Sequence, residues 1–466
     1  MLKAENRKDW PQRDNVEREE YVGVQSTDTR EGKERDSATD LLEQILDRDN
    51  LNKAYKRVKS NHGAPGIDGM TVEEALPWLK EHKDELVQSL LDESFKLSPV
   101  RRKAIPKPDG GERMLGIPTV IDRMMQQAIA QKLQPIFEPL FSDGSYGYRP
   151  GRSGQQAMQR VKKYADEGYI YVVEVDLSKY FDTINHELLL NLLREHVKDP
   201  RVIRLVKKYL KSGVMENGVV CKTEEGSPQG GPLSPLLANI YLNQYDQEMK
   251  SRGVPVIRYA DDIVVFAKSK RAAERLLESS RRYLEEKLKL TLNNEKSKSI
   301  SIYSKKEFKF LGFAMGKSGK GNFIRVHRKS LSKAKQRLKE LTKRNQGRNV
   351  RLVMEKVKVF IRGWLGYFYI ADMKRILEGW NQWLRRRVRM YIWKQWKKPK
   401  MRIQSLCKLG IPEWQAYQWG NSRLGYWRVA GSPVLTRSIT NKMLARAGYY
   451  DILARYEQIR SLHSSD

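Results

Sequence analysis

Three aspartates follow or separate predicted β-strands, and their type and spacing suit metal-assisted phosphoryl chemistry. Asp176 comes directly after the β-branched run 169–175, while Asp261 and Asp262 separate two apolar runs, as residues at a hairpin tip would. The carboxylates can therefore meet at one edge of a sheet. Two Mg²⁺ ions about 4 Å apart, held by carboxylate oxygens, can activate a hydroxyl and stabilise a departing phosphate. An aspartate pair also forms ordinary tight turns, so this pattern alone leaves both interpretations open.

The elements around these aspartates alternate β-branched runs with amphipathic helical patterns between about residues 97 and 316, which is typical of an α+β domain. Ordered structure is predicted to begin at Asp40, after which leucines and isoleucines recur at helical spacing. Residues 1–39 are rich in charge and poor in apolar side chains, which predicts a disordered extension. Beyond Arg325 the pattern changes to long, basic helices.

The charge of the chain points to a polyanionic partner. Its 466 residues include 88 lysines and arginines against 56 aspartates and glutamates, a formal net charge of +32. Nucleic acid is the first candidate. An anionic membrane is the alternative, but no apolar run reaches the roughly 18 residues of a transmembrane helix, so we expect no membrane partner. Two cysteines and six histidines, without paired metal-ligand spacing, argue against a disulfide framework and a zinc enzyme.

Further motifs accompany the two aspartate motifs, Asp176–Asp182 and Tyr259–Asp262. They are, in chain order, Gly63-Ala-Pro-Gly-Ile-Asp-Gly69, Ile105-Pro-Lys-Pro-Asp-Gly110, Leu115-Gly-Ile-Pro118, Asp143-Gly-Ser-Tyr-Gly-Tyr-Arg-Pro150, Gly226-Ser-Pro-Gln-Gly-Gly-Pro-Leu-Ser-Pro235 and Phe310-Leu-Gly-Phe313. From about Leu41 to about Tyr450 this series resembles the reverse transcriptase/maturase family encoded by bacterial group II introns. The resemblance implies an α+β right-hand polymerase of fingers and palm, followed by an α-helical thumb/maturase domain and a small DNA-binding region.

The resemblance also predicts how the chain divides into domains. The predicted parts are a charged extension (1–39), an N-terminal extension of the fingers (40–96), the reverse transcriptase fingers and palm (97–316), the helical thumb or maturase domain X (317–400) and the DNA-binding region (401–466).

By similarity, Asp176, Asp261 and Asp262 are the catalytic, metal-binding residues, with two Mg²⁺ ions, for which Mn²⁺ can substitute, and dNTP substrates. Phe181 stands where the family places an aromatic ring beneath the incoming sugar, which leaves no room for a 2′-hydroxyl and disfavours an RNA-dependent RNA polymerase. The alternative for Phe181 is a core side chain in a strand-to-helix turn. Asp182 is predicted to cap or hydrogen-bond the turn that leads into the helix at Glu187 and not to be catalytic.

Four other residues are assigned to the nucleotide by the resemblance. Lys107 and Arg113 flank a predicted hairpin tip and reach the triphosphate, although solvated surface cations are the alternative. Gln229 holds the nucleotide and the template base by hydrogen bonds. Lys296 assists the departing pyrophosphate. Phe310–Phe313 matches the hairpin that positions the primer.

Arg149 and Arg152 are either template-phosphate contacts or ordinary surface arginines. In the basic carboxy-terminal third, tryptophans alternate with lysines and arginines, so they either stack on unpaired bases or anchor the core of a helical domain. The resemblance assigns this third to the primer–template duplex and to the intron RNA. The clustered cysteines of the endonuclease that many members carry do not occur, so we expect insertion into exposed single strands of target DNA.

The sequence therefore predicts an RNA-directed DNA polymerase of a group II intron that copies intron RNA into DNA and assists splicing and mobility. Its partners are group II intron RNA, an RNA template with a DNA primer, and target DNA, in the bacterial cytoplasm near the nucleoid. The alternatives are a splicing-only RNA-binding maturase, a host-adopted reverse transcriptase in defence or repair, and a basic RNA scaffold. The oligomeric state and the identity of the intron are not encoded in any recognisable pattern.

Overall fold

The computed structural model describes residues 40–106, 112–216, 219–221, 226 and 230–463. The predicted extension 1–39 lies outside the described residues. The α-helices are α1 (Leu41–Leu46), α2 (Arg48–Ser60), α3 (Ala75–Leu91), α4 (Val120–Phe137), α5 (Gly154–Asp166), α6 (His186–His196), α7 (Pro200–Leu210), α8 (Ser234–Ser251), α9 (Lys270–Arg282), α10 (Arg328–Leu341), α11 (Val350–Phe368), α12 (Lys374–Gln395), α13 (Pro399–Lys408), α14 (Glu413–Gly420), α15 (Tyr426–Ala430), α16 (Pro433–Ser438), α17 (Asn441–Arg446) and α18 (Ile452–Leu462).

The strands form three separate sheets. They are β1 (Val100–Pro106), β2 (Glu112–Ile117), β3 (Tyr171–Val175), β4 (Val214–Glu216), β5 (Val219–Cys221), β6 (Val256–Tyr259), β7 (Asp262–Ala267), β8 (Lys298–Ser301), β9 (Phe313–Ser318) and β10 (Gly321–Val326). The sheet that carries the aspartates has the order β6-β7-β3-β8, and its neighbouring strands are antiparallel. A second sheet has the order β2-β1-β4-β5, and β9 pairs with β10.

Helices cover both faces of the aspartate sheet. Because successive residues of a strand point to opposite faces, Val173 and Val175 join one core cluster and Val172 joins another. The first cluster contains apolar residues of α4, α6, α7 and α8. The second contains residues of α5, α11, α12 and α18. This two-sided burial explains why the run 263–266 is continuously apolar rather than alternating.

Several sequence predictions about these elements are confirmed. The hairpin around Tyr259–Asp262 forms as β6 and β7, and the strand expected over 169–175 begins slightly later, at Tyr171. The carboxy-terminal third is helical, and Trp380 and Trp393 are buried core residues, which favours the core-anchor interpretation for these two. Within the described residues, the helices are too short or too polar to cross a membrane.

Candidate active site

Strand pairing brings the predicted catalytic aspartates to one end of the aspartate sheet. Val175 pairs with Ile263 in antiparallel register, so Asp176, which follows Val175, and Asp262, which precedes Ile263, lie at the same end of the sheet. Tyr259 pairs with Asp262 across a tight turn in which Ala260 has a left-handed φ of 58°. The convergence predicted from the sequence is therefore present in the main chain.

A buried ion pair supports that turn from below. Arg258, the residue before Tyr259, and Asp246 of α8 have side chains only 0% and 2% exposed, and Arg258 Nη2 lies 2.6 Å from Asp246 Oδ2. Arg258 Nη1 also donates to the Ala260 carbonyl at 3.1 Å and to Asn239 Oδ1 at 2.8 Å. Asn239 in turn donates to the Gly147 carbonyl at 2.8 Å. The turn before Asp261 thus rests on a fully buried polar network.

The loop that contains Gly147 packs directly against the same turn. A Cβ on Gly147 would lie 2.2 Å from the Ala260 nitrogen, so only glycine allows this approach. Arg149 is buried and donates to Glu138 Oε1 at 2.8 Å and to the Ser145 carbonyl at 2.9 Å. Both sequence interpretations of Arg149, as a template contact and as a surface arginine, are therefore wrong. Its guanidinium holds the loop together.

The main chain of Asp176 is held from the β8 side of the sheet. Its N–H donates to Ser297 Oγ at 3.1 Å, and its carbonyl accepts from Asn293 N at 2.8 Å. The side chain is 40% exposed, and Oδ2 lies 3.8 Å from Lys296 Nζ. Lys296 therefore stands beside a predicted metal ligand, at the distance of a loose, solvent-screened ion pair.

Negative charge accumulates at this end of the sheet. Loss of hydration in the cleft, and then the neighbouring charges of Asp261 and Asp176, raise the pKa of Asp262 to about 6. The Asp262 residue still contacts solvent, so the cleft is open to a ligand. Burial likewise raises the pKa of Glu174, two residues before Asp176, to about 7.

This electrostatic arrangement suits a divalent cation. Carboxylate oxygens are hard donors, and a cation between Asp176, Asp261 and Asp262 would offset the burial of the Asp262 carboxylate and its repulsion by the other two, which together raise its pKa. Among the described residues, however, no cluster of histidine, cysteine, aspartate or glutamate side chains is already closed into a metal cage. The three carboxylates are therefore the type of ligand that a divalent cation prefers, but in this structure their side chains do not form a closed metal-binding cluster.

Phe181 lies in a 3-10 turn, Tyr180–Asp182, which follows strand β3 and Asp176 in the chain. Its side chain is 6% exposed and packs beside the Tyr180 ring, with centroids 5.3 Å apart. Asp182 is exposed, and its main-chain N–H donates to the Lys179 carbonyl at 2.7 Å within this turn, but it does not cap the next helix, so the capping prediction is wrong. Asn185 is the N-cap of α6, and its side chain accepts from Leu188 N at 3.0 Å.

The remaining predicted nucleotide contacts are only partly described. Lys107 and Gln229 lie outside the described residues, and of Arg113 only the main chain, in β2, is described. Gly226, three residues before Gln229, and Gly230, directly after it, pack closely against other main-chain segments. A Cβ on Gly226 would lie 2.7 Å from the Asp182 carbonyl oxygen, and a Cβ on Gly230 would lie 2.2 Å from the Gly116 carbonyl oxygen. Close main-chain packing therefore requires glycine on both sides of Gln229.

The predicted primer-positioning hairpin forms the tight turn between Phe310 and Phe313. The two residues exchange main-chain hydrogen bonds of 3.2 and 2.8 Å, and Leu311 and Gly312 have left-handed φ values of 51° and 84°. Two left-handed central residues are typical of the hairpin turns whose twist matches that of the strands.

Exposed aromatic side chains lie in the carboxy-terminal region. They are Trp414 (70% exposed), Tyr417 (65%) and Trp427 (38%), and Arg386 lies over the Trp427 ring at 4.2 Å from its centroid. Large aromatic rings at this exposure contrast with the buried tryptophans of α12 and are accessible to planar ligands.

Sequence reasoning missed the residues that support the site. Ser297 accepts a hydrogen bond from the main chain of Asp176, and Arg258, paired with Asp246, donates to the Ala260 carbonyl in the turn before Asp261. The one available signal was Arg258 itself, because a charged residue inside an otherwise apolar strand requires a buried partner.

Family comparisons agree with this geometry. Residues 105–315 match the family model described as reverse transcriptase (RNA-dependent DNA polymerase). Residues 331–410 match the model described as the group II intron maturase-specific domain.

Two curated relatives illustrate the similarity. Protein YkfC of Escherichia coli (strain K12) is 36% identical over 298 residues, which cover 55% of this chain and 78% of YkfC. The group II intron-encoded protein LtrA of Lactococcus lactis subsp. cremoris is 30% identical over 388 residues, which cover 69% of this chain and 63% of LtrA. The chain thus spans less than two thirds of LtrA.

Solved structures also match. A chain of a partial Cas6-RT-Cas1–Cas2 complex is 25% identical with a TM-score of 0.35, and the match covers 53% of this chain and 43% of that chain. Apo telomerase from Candida tropicalis, truncated from the C-terminal domain, is 16% identical with a TM-score of 0.37, and the match covers 47% of this chain and 53% of that chain.

Proposed function

The chain belongs to the family of group II intron-encoded reverse transcriptases and maturases, and we propose that it makes DNA at Asp176, Asp261 and Asp262. It has an α+β polymerase domain of the reverse transcriptase type and a maturase-specific helical domain. Its intron-encoded relative LtrA supports a role in RNA splicing and mobility. The observation that carries the proposal is the shared end of β3 and the β6–β7 hairpin, where burial and then the neighbouring charges of Asp261 and Asp176 raise the Asp262 pKa.

Divalent metal ions are expected for this family, and we assign Mg²⁺, with Mn²⁺ as a substitute, to the same aspartates. When bound, such ions lower the pKa of the primer hydroxyl and neutralise charge on the departing pyrophosphate. The chain itself contributes the rigid main chain of Asp176, held by Ser297 and Asn293, and the buried support beneath the turn that carries Asp261. Lys296 is close enough to Asp176 to reach phosphate oxygens at the same edge.

Nucleotide selection is assigned to Phe181, whose buried ring follows Asp176 by one short turn. A ring fixed by packing against Tyr180 cannot move aside for a 2′-hydroxyl, which favours dNTP substrates. Lys107 and Arg113 are proposed to contact the triphosphate. Gln229 is proposed to contact the nucleotide and the template base.

The nucleic-acid partners are group II intron RNA, an RNA template with a DNA primer, and target DNA. A net charge of +32 supports binding to phosphate backbones. The exposed rings of Trp414 and Tyr417, in the proposed DNA-binding region 401–466, suit stacking on unpaired bases. We place the protein in the bacterial cytoplasm, acting at the nucleoid, because its partners are there.

The proposed division of the chain follows these roles. We assign 40–96 to the amino-terminal extension of the fingers, 97–316 to fingers and palm, and 317–400 to the thumb or maturase domain X. The matches of residues 105–315 and 331–410 to the two family models support the fingers-and-palm assignment and the maturase-domain assignment, although the matched bounds differ from the proposed ones.

Primer extension on an RNA template with dNTPs and Mg²⁺ tests the proposal. We expect extension by the native chain and a loss of at least about 10³-fold in Asp261→Asn, since charge on the metal ligands supplies the rate. Asp182→Asn is the matched control, because Asp182 is an exposed aspartate close to Asp176 in sequence. Extension by Asp261→Asn at the native rate would contradict the proposed metal site, and no extension by the native chain would favour a splicing-only maturase.

A further inference from the structure

The turn between Phe310 and Phe313 requires a backbone conformation that is unfavourable for one of its residues, Leu311. Leu311 has φ 51°, in the left-handed region that costs a non-glycine residue about 1–2 kcal/mol. Such a conformation persists only where surrounding contacts fix it. The contacts that fix this turn therefore determine where it points.

Both carbonyls of the turn accept hydrogen bonds from the helical region that follows the palm. The Leu311 carbonyl accepts from the Tyr367 hydroxyl at 3.0 Å. The Gly312 carbonyl accepts from Ser330 Oγ at 2.9 Å and from His327 N at 3.0 Å. The donors belong to α10, α11 and the residue that caps α10, so the helical region sets the geometry of the turn.

The same turn is also joined to the aspartate sheet. Lys309 N lies 3.4 Å from Oε1 of Glu174, two residues before Asp176. Tyr367 lies close to this edge as well: burial, and then the neighbouring Tyr259 and Asp262, raise its pKa to about 12. The hydroxyl therefore stays protonated as a donor at neutral pH.

Tyr367 is fixed by a third element, the beginning of α5. Gln155 Nε2 donates to the Tyr367 carbonyl at 3.1 Å. A Cβ on Gly154 would lie 3.2 Å from both the Tyr367 hydroxyl and Leu311 Cδ1. The Tyr367 ring packs on Phe313, with centroids 5.4 Å apart, and 36% of the residue remains exposed. Tyr367 thus stands where α5, α11 and the turn meet, and part of it is exposed to solvent.

We propose that Tyr367 is a positioning residue: its hydroxyl holds the Leu311–Gly312 turn, and thereby the primer terminus, in place beside the catalytic aspartates. The inference rests on the proposed function, in which this turn positions the primer. Through Tyr367, the placement of α11 relative to the palm is transmitted to the primer 3′ end. The helical region then contributes to the chemical step as well as to duplex binding.

The test is single-turnover incorporation of one dNTP by Tyr367→Phe, which removes the hydroxyl and keeps the ring. Loss of one neutral hydrogen bond predicts a rate constant at saturating dNTP that is roughly three- to ten-fold lower. The affinity for a primer–template duplex should stay within about two-fold, because phosphate contacts dominate it. A 2-aminopurine at the primer terminus should change its fluorescence in the bound complex, reporting a displaced 3′ end.

Tyr391→Phe is the matched control. Its hydroxyl donates to the Arg348 carbonyl at 2.7 Å, also within the helical region but away from the turn, so its loss should leave the rate and the fluorescence unchanged. Ser330→Ala removes another donor to the turn and should reproduce the effect of Tyr367→Phe. Native-like rates in both Tyr367→Phe and Ser330→Ala would overturn the positioning role of Tyr367 but not the proposed function. Absence of extension by the native chain would overturn the proposed function as well.

Discussion

The buried ion pair beneath the Tyr259–Asp262 turn supplies the sharpest test of how the proposed site is built. Asp246→Asn leaves the Arg258 guanidinium, whose side chain is 0% exposed, without a counter-charge. Breaking one side of a buried pair costs about 3–5 kcal/mol, a large part of the 5–15 kcal/mol that typically separates folded from unfolded protein. We expect the melting temperature to fall on the order of 5–10 °C.

The paired substitution separates stability from catalysis. Replacing both partners by apolar residues, Asp246→Leu with Arg258→Met, should recover most of the lost stability, because no unpaired charge stays buried. The double variant should nevertheless lose DNA synthesis, since replacing Arg258 removes the donor that Arg258 Nη1 provides to the Ala260 carbonyl at 3.1 Å. Thermal unfolding and primer extension on the same preparations measure the two effects.

An exposed ion pair provides the control. Lys270 Nζ and Glu274 Oε1 lie 3.9 Å apart on the surface of α9, and Lys270→Ala should change stability by no more than about 0.5 kcal/mol. A cost below about 1 kcal/mol for Asp246→Asn would refute the argument from burial. Full polymerase activity in the double variant would refute the argument that Arg258 fixes the turn.

Three further predictions concern nucleotide choice, pH and DNA binding. Phe181→Ala should open the sugar pocket and raise the ratio of kcat/KM for rNTP to that for dNTP at least about ten-fold; an unchanged ratio would remove Phe181 from the site. Burial raises the pKa of Asp122 to about 6, so the folded state keeps this proton to higher pH than the unfolded chain does, and stability falls as pH rises from about 4 to 6. Asp122→Asn should therefore be more stable than the native chain above pH 7, by up to about 3 kcal/mol, with the difference vanishing below about pH 4 in urea titrations; a constant difference would exclude this linkage. Trp414→Ala with Tyr417→Ala should weaken binding of single-stranded DNA by about 2–6 kcal/mol without changing primer extension, and equal binding in a fluorescence titration would contradict stacking.

The convergence of the three proposed catalytic aspartates was predictable because their placement depends on local patterns. A β-branched run that ends in Asp176 and a hairpin around Asp261 fix the strand ends, and antiparallel pairing brings those ends together. The buried tryptophans Trp380 and Trp393 also follow from helical periodicity in a domain that must bury its apolar face.

The supporting contacts were not predictable, because each depends on a partner that only the fold supplies. Asp246 meets Arg258 through the packing of α8 beneath β6, and Arg149 turns inward because Glu138 and two loop carbonyls surround it. No periodicity encodes either contact. Tyr367 is a similar case, since its hydroxyl reaches a turn 56 residues earlier in the chain.

The most direct test of the account compares DNA synthesis with intron splicing in a single variant. Asp261→Ala is expected to abolish primer extension on an RNA template with Mg²⁺ while leaving the binding and splicing of the intron RNA within about two-fold of the native chain. That result would assign synthesis to the aspartate cleft and RNA binding to the basic surface outside it. Equal loss of synthesis and splicing would contradict this division of labour.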